Sequence, residues 1–303
     1  MNEPIKKYMK IGTIHFMSYP ETINGEGPIL ETVKKIAADD YFDAIEISWN
    51  KDSASRKAVH KVLSTSGLTV AYGAQPRLLT TGLNINDLNE DGRLKALASL
   101  KEGIDEAYEM GAKGFAFLSG KYDESKKEEA YAALIKSTVE LCNYAKSIGD
   151  MRIALEVFDF DIDKKSIIGP TTLAKRFADD ITKVCDNFGL LVDLSHFPLV
   201  RETAREAIIP IKDYIIHAHI GNAVVADPAM PAYGDAHPRF GFPGGENDVD
   251  DLVEFLQILL EIGFLNEKNP PIVSFEVKPF GDEDPDVVIA NSKRILNRAW
   301  ALV

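Results

Sequence analysis

Cysteine is nearly absent. Cys142 and Cys185 are the two in 303 residues, so neither a disulfide framework nor a CxxC metal pair organises the chain, and a reducing cytoplasm is expected. No apolar run approaches the roughly eighteen residues a membrane span needs. The opening stretch MNEPIKKYMKIG also lacks the apolar segment of a secretory signal, so an unexported protein that touches no membrane is expected. Positive charge is short as well: 34 Lys and Arg face 47 Asp and Glu, for a net charge of −13. With no basic block to offset it, a nucleic-acid backbone would be repelled over most of the surface. The dinucleotide fingerprint GxGxxG is missing after the first apolar run, and Gly25 and Gly27 in NGEGP do not replace it. No Pro/Gly/Ser-rich linker divides the sequence, so one domain over residues 1–303 is expected.

What is present is ordinary globular material, 45% hydrophobic and 27% charged. Short apolar runs recur at 9–16, 44–48, 69–74, 114–119, 152–157, 189–194, 214–220 and 272–277. Segments of helical period lie between them, among them 28–38, 93–110, 126–147, 171–184, 249–262 and 285–301. Continuous apolar strands alternating with helices predict an α/β fold with a parallel sheet covered on its outer face. Eight such units favour a closed (β/α)8 TIM barrel, a fold of about 250 residues, over an open sheet. One connection is out of proportion: residues 221–247 read GNAVVADPAMPAYGDAHPRFGFPGGEN, without helical or strand period. Structureless loops beyond about 12–15 residues are usually functional or disordered. Following strand seven, this one would form a partial lid over the C-terminal mouth, with Tyr233, His237, Arg239 and Phe240 as packing and recognition groups. Its apolar residues would suit burial by a partner, so an oligomer is expected.

Each strand of the second half ends in an acid or a histidine: Glu156 in ALEVFD, Asp193 in LLVDLSH, His219 in HAHIGN and Glu276 in VSFEVKP. One carboxylate at a strand end is as readily a helix cap or an ion-pair partner. Four on consecutive strands converge at the mouth, where buried like charges need a neutraliser. An oxygen-dominated set with one imidazole suits one divalent metal ion, Mn2+ first, with Mg2+ or Co2+ as alternatives. His217, two residues before His219, points to the same face at a lower layer and reads as a hydrogen-bonded interior histidine. His196, three after Asp193, reads as a catalytic acid/base or as the group that orients Asp193. His15, Glu46, Gln75 and Arg77 at the ends of the first three strands are expected to line a polyhydroxyl pocket, together with Asn222, His237 and Arg239 of the long loop. Lys278 is expected to be a pocket cation for an oxyanion. Asp159, Asp161 and Asp163 lack the Gly and distal Glu of a calcium loop and read as loop charges.

The motifs ALEVF, VDLSH, HAHIGN, FPGGENDVDDL and SFEVKP resemble the xylose isomerase-like barrel superfamily over nearly the whole chain. That superfamily includes ketose 3-epimerases, hydroxypyruvate isomerases, inosose dehydratases and endonuclease IV-type repair enzymes. The resemblance implies that Glu156, Asp193, His219 and Glu276 bind the metal and that the two glutamates shuttle a proton at the epimerised carbon. Where the epimerases read HxGE and then an Arg, this chain has Asn222 and Val225, and after the first glutamate it reads VFDFDIDKKSIIGP, which implies a different substrate. The phrases YGAQPRLL, FDFDIDKKSIIGP and YGDAHPRFGFPGG are similar to the large catalytic subunits of bacterial C-glycoside deglycosylating enzymes. That likeness implies carbon–carbon lyase activity on 3-oxo-C-glucosides, a metal-stabilised enolate and a small β-sandwich partner subunit. A ketose isomerase or epimerase is the alternative. Both remove a proton next to a carbonyl, with Glu156 or Glu276 as base and His196 as acid, and the lyase would add an aromatic pocket from Tyr233, Phe240 and Phe242. Six histidines and the acidic balance disfavour DNA repair, and retention of all four ligands disfavours a non-catalytic sugar-binding barrel.

Overall fold

Each of the eight apolar runs forms a strand in the computed structural model, which describes residues 3–303. The strands are β1 (Lys10–Thr13), β2 (Ala44–Ile47), β3 (Thr69–Gly73), β4 (Gly114–Leu118), β5 (Arg152–Glu156), β6 (Phe188–Asp193), β7 (Ile215–Gly221) and β8 (Ile272–Glu276). Met1 and Asn2 of the opening stretch lie outside the described residues. All neighbours pair in parallel in the order β1-β8-β7-β6-β5-β4-β3-β2. A parallel bridge between Ile14 and Glu46 brings the first strand to the second and nearly closes the barrel.

The principal helices are Ile29–Ala37, Ser53–Ser66, Glu90–Glu109, Lys127–Ile148, Thr171–Thr182, Val249–Glu261 and Pro285–Leu302. Capping sets their starts. Asn89 accepts from the Asp91 and Gly92 amides, so the third of them begins at Glu90, three residues before its apolar stripe. The helix Ser53–Ser66 buries only Val59 and Leu63, a stripe too thin to stand out by period, and Asp52 caps it. Among the described residues no helix is long and apolar enough to cross a membrane.

Strand alternation sends the large side chains outward. Ile45, Tyr72, Phe115, Phe117, Ile153, Leu155, Val192 and Phe275 join the main core between sheet and helices. The inside of the barrel is filled by small residues and polar ones. Ala116, Ala154 and Leu191 form a separate interior cluster, with Glu46 and His219 buried beside it. Between β6 and β7 the register shifts at Leu190/Leu191, so that Asp193 pairs with His219 and Leu191 with His217. The 221–247 connection contains no helix, yet it is ordered by bridges from Val224 to Tyr233 and Gly234 and from Pro238 to Lys278. Its apolar residues Ala223, Val224, Ala232 and Phe240 are buried against the chain itself, while Val225, Met230, Tyr233 and Phe242 are half-buried.

Candidate metal centre

Four adjacent strands each deliver one side chain to the C-terminal mouth, and the ligand atoms of Glu156, Asp193, His219 and Glu276 lie within 4.8 Å of one another. All four residues are buried. Each leaves one polar atom without a hydrogen-bond partner: Glu156 Oε1, Asp193 Oδ2, His219 Nδ1 and Glu276 Oε2. His219 Nδ1 and Glu276 Oε2 are 2.6 Å apart without hydrogen-bond geometry, and Glu156 Oε1 is 3.6 Å from the same nitrogen. An orphaned buried polar atom costs on the order of 1–3 kcal/mol. Four orphans facing one point, three oxygens and one imidazole nitrogen, match the donor set of a hard or borderline divalent cation.

The opposite atoms of the same side chains are engaged. Gln75 Nε2 donates to Glu156 Oε2 at 2.6 Å, and the Ser195 amide donates to Asp193 Oδ1 at 2.6 Å. His219 Nε2 lies 3.1 and 3.2 Å from the two oxygens of Glu46, and His217 Nε2 reaches Glu46 Oε1 at 2.7 Å from the layer below. Glu46 can only accept, so His219 keeps a proton on Nε2, which leaves Nδ1, facing the three carboxylates, as the nitrogen that a cation would take. Burial opposes the charge on Glu46, but His217 and His219 hold its carboxyl well below the usual range. Glu46→Gln is therefore expected to weaken divalent-metal affinity by about 10–100-fold, as loss of such outer partners usually does, and competition with a chelator measures it.

A second network closes over the first. Asp235 Oδ1 lies 2.8 Å from His237 Nε2 and 2.9 Å from His196 Nε2, and its other oxygen lies 3.0 Å from Lys164 Nζ. Burial works against the Asp235 charge, yet Lys164, His237 and His196 keep it well below the ordinary carboxylate range. His237 sits at φ 53°, a left-handed conformation unusual for a side chain. It is tied there by Asp235 and by Ser195 Oγ at 3.2 Å. Gly221 makes room for this arrangement, since a Cβ there would lie 2.5 Å from the Glu276 carbonyl oxygen and 3.2 Å from His237 Nδ1. Despite burial, Glu276 and Asp235 push His237 up to about 9. Burial, with help from the Glu156 charge, raises Glu276 to about 7.

A cavity of about 250 Å³ opens over Glu276. Its polar lining is Gln75, Lys164, Asp235, His237, Glu276 and Lys278, and its apolar wall includes Phe16, Met17, Ile23, Leu79 and Phe158. Gln75, His237 and Lys278 thus face it. Several other sequence expectations are corrected. Arg77 is turned away from the mouth, donating to Glu106 Oε2 at 2.6 Å and Tyr72 Oη at 3.0 Å. His15 bonds Thr32 Oγ1 at 2.7 Å behind the strands, and Glu46 is spent on the two histidines. Asn222 accepts from the Ala223 and Asn247 amides and braces the loop, while Arg239 pairs with Glu283. His196 has both ring nitrogens committed, Nδ1 to the Val157 carbonyl at 2.8 Å and Nε2 to Asp235, so it is no free acid. Phe240 is buried in the main core and Phe242 packs on Phe280, so the apolar wall comes from the β1 exit and Phe158 instead of from the long loop. Asp159 is not a solvated loop charge: fully buried, it accepts from the amides of Ile162, Asp163, Lys164 and Lys165 and shapes the turn that presents Lys164. Asp235 and Lys164 went unread in the sequence. The DAH triplet was the available signal, and it carries no fixed spacing rule.

The buried His15 has a consequence of its own. Desolvation lowers its pKa from 6.5 to about 3. The unfolded chain therefore binds a proton that the folded chain refuses, and stability is lost as pH falls from 6.5 toward 3, by up to about 1.4 kcal/mol per unit. His15→Gln is expected to flatten that part of the profile, read as the difference between urea midpoints of the two proteins across this range.

A family profile described as xylose isomerase-like TIM barrel matches residues 34–296. Among solved structures, a D-tagatose 3-epimerase-like protein superimposes with a TM-score of 0.73 at 19% identity, over 97% of this chain and 98% of that one. The 3-keto-D-glucoside 4-epimerase of E. coli, in its apo form, gives 0.68 at 18% identity, over 95% and 99%. The D-psicose 3-epimerase of Clostridium cellulolyticum H10, solved with D-tagatose, gives 0.66 at 18%, over 97% and 96%. At such identity the likeness bears on the fold alone. No match was found among curated proteins.

Proposed function

The chain belongs to the xylose isomerase-like TIM barrel family, and from that premise we propose that it is a divalent-metal-dependent sugar isomerase or epimerase acting on a carbon next to a carbonyl. The observation that carries this reading is the set of four unpartnered atoms on Glu156, Asp193, His219 and Glu276. A divalent cation held by them would polarise the carbonyl and favour the enolate of the sugar. Mn2+ is the first choice for this donor set.

The chain's own groups divide the remaining work. Of the two glutamates Glu276 is the one that lines the cavity, and it is therefore the better placed base. Glu156, fixed through its other oxygen by Gln75, would pass a second proton, drawn from solvent, to the opposite face of the carbon while Glu276 keeps the one it took. His237, held charged beside Asp235, has both ring nitrogens engaged, Nε2 by Asp235 at 2.8 Å and Nδ1 by Ser195 Oγ at 3.2 Å, so it brings a positive charge to the cavity wall, 3.5 Å from Glu276 Oε1, and no free proton. Lys278 at the cavity edge supplies a cation for a substrate oxyanion. That solved structures of the same fold are named sugar epimerases supports the reading.

The apolar wall of the cavity favours a second reading, a lyase that expels an aromatic carbon group from a 3-oxo-C-glucoside once the same enolate has formed. There the proton that Glu276 took would go to the departing carbon, directly or after exchange with solvent, and the small β-sandwich subunit expected from the sequence would be its partner. One assay separates the two. The Mn2+-loaded protein is incubated in D2O with free ketoses and with 3-oxo-glucosides, and products are resolved by mass. Epimers carrying one solvent deuterium are the expected result. A released aglycone would favour the lyase, and epimers that carry no deuterium would contradict the two-glutamate scheme.

A further inference from the structure

At the other end of the barrel the strand starts enclose a cavity of about 110 Å³, below the layer of the four ligands. Small residues make the space: Gly114, Ala116 and Ala154 face it where larger side chains would fill a barrel floor. His217 closes it toward the mouth, and Lys113 and Arg152, both exposed, stand at its rim. About three or four waters fit there at their liquid volume, and so does one oxyanion of similar bulk. Arg152 opens β5. Ile153 and Leu155 turn outward into the main core, so Arg152, Ala154 and Glu156 share the inner face, Arg152 at the floor and Glu156 among the four ligands. The Arg152 guanidinium has no hydrogen-bond or ion-pair partner among the described residues, and neither has the Lys113 ammonium. Partial burial lowers the Arg152 pKa, with no neighbouring carboxylate to offset it, yet a guanidinium stays charged. Lys10 adds to the positive field: it pairs in register with Ile272 of the cavity wall, and its Nζ donates to Thr69 Oγ1 at 3.2 Å. Among the described residues Glu46 is the one carboxylate in the lining, and it is held by His217 and His219. In a chain with 47 acids against 34 bases, this cluster of cations is left without a counter-charge.

We propose that the floor of the barrel is an anion site, in which Arg152 and Lys113 hold one small oxyanion, a phosphate or a carboxylate, in the cavity beneath His217. The planar fork of an arginine matches two oxygens of either group, and Lys113 adds a point charge. His217 forms the ceiling and shares Glu46 with His219, so the occupant sits one layer below the four ligands. The site lies at the opposite end from the cavity over Glu276 and stands whatever reaction takes place at the mouth.

The test uses the chelator-stripped chain labelled with 15N-arginine, titrated at constant ionic strength with inorganic phosphate and, separately, with acetate. The Arg152 Nε–H resonance, identified by its disappearance in Arg152→Gln, is expected to shift saturably with at least one of them. The anion with the lower midpoint gives the ligand class. By calorimetry, Arg152→Gln is expected to weaken that anion by about 10–100-fold, the usual share of a charged hydrogen-bonding group, and the double replacement with Lys113→Gln to abolish binding. Because Arg152 has no internal partner, Arg152→Gln is expected to unfold at an unchanged or higher urea midpoint, so that its loss of binding is not a loss of fold. An Arg152 signal unmoved by both anions or moved only linearly, or an affinity unchanged in Arg152→Gln, would overturn the site and leave the cavity to water. A lowered urea midpoint would reveal an internal partner for the guanidinium and overturn it as well.

Discussion

Glu276→Gln is expected to lower turnover by about 10²–10⁴-fold, the usual share of a positioned proton-transfer group. The amide keeps the size of the side chain, which is almost wholly buried, but can neither take a proton from carbon nor neutralise a cation. Glu276 is singled out because it is the one of the four ligands that lines the cavity where the substrate carbon would lie. The conservative counterpart is Asp193→Asn, whose remaining oxygen can still accept from the Ser195 amide while the metal-facing oxygen becomes an NH2, so that a ligand is lost but no proton carrier. Its loss is expected to follow metal occupancy and to be partly recovered by excess Mn2+. Glu276→Gln is not expected to recover. Steady-state rates at saturating and limiting metal separate the two behaviours, and a Glu276→Gln protein with unimpaired turnover would remove Glu276 from the chemistry.

The second large effect is on stability. Asp235 faces three cations at once, His196, His237 and Lys164, at 2.8 to 3.0 Å. Taking away one partner of a buried charge cluster costs about 3–5 kcal/mol, because the charges left behind are uncompensated. Asp235→Leu is expected to fall in that range by urea unfolding. Asp235→Asn, which still accepts one hydrogen bond, is expected to lose less. The same substitution removes the charge that holds His237 protonated, so activity above pH 7 is expected to drop further than at pH 6. A Leu variant as stable as the original chain would mean that the histidines simply discharge, and the positive charge that His237 brings to the cavity would go with them.

The strands were readable because each is covered on both faces, leaving an unbroken apolar run, and because helical period resumes between them. The four ligands were readable because a strand end points its last inward residue at the barrel axis. That rule stops where the strand does. His15, Arg77 and His196 all lie in one-turn helices that follow a strand directly, His15–Ser18, Gln75–Leu79 and His196–Val200. Within such a turn the side chains fan out by about 100° per residue. Gln75 therefore faces the metal ligands while Arg77, two residues on, faces Glu106. Asp235 lies in a connection with no repeating period at all, so nothing local says that its carboxylate turns inward. Glu46 was legible as an interior acid, but its partners come from β7, 171 and 173 residues away.

The most direct test is a calorimetric titration of the chelator-stripped chain with Mn2+. A single site formed by Glu156, Asp193, His219 and Glu276 requires one equivalent bound per chain, with the stoichiometry lost when Asp193 and His219 are replaced together by alanine. No saturable binding, or one equivalent still bound by that double variant, would contradict the metal centre and every step built on it.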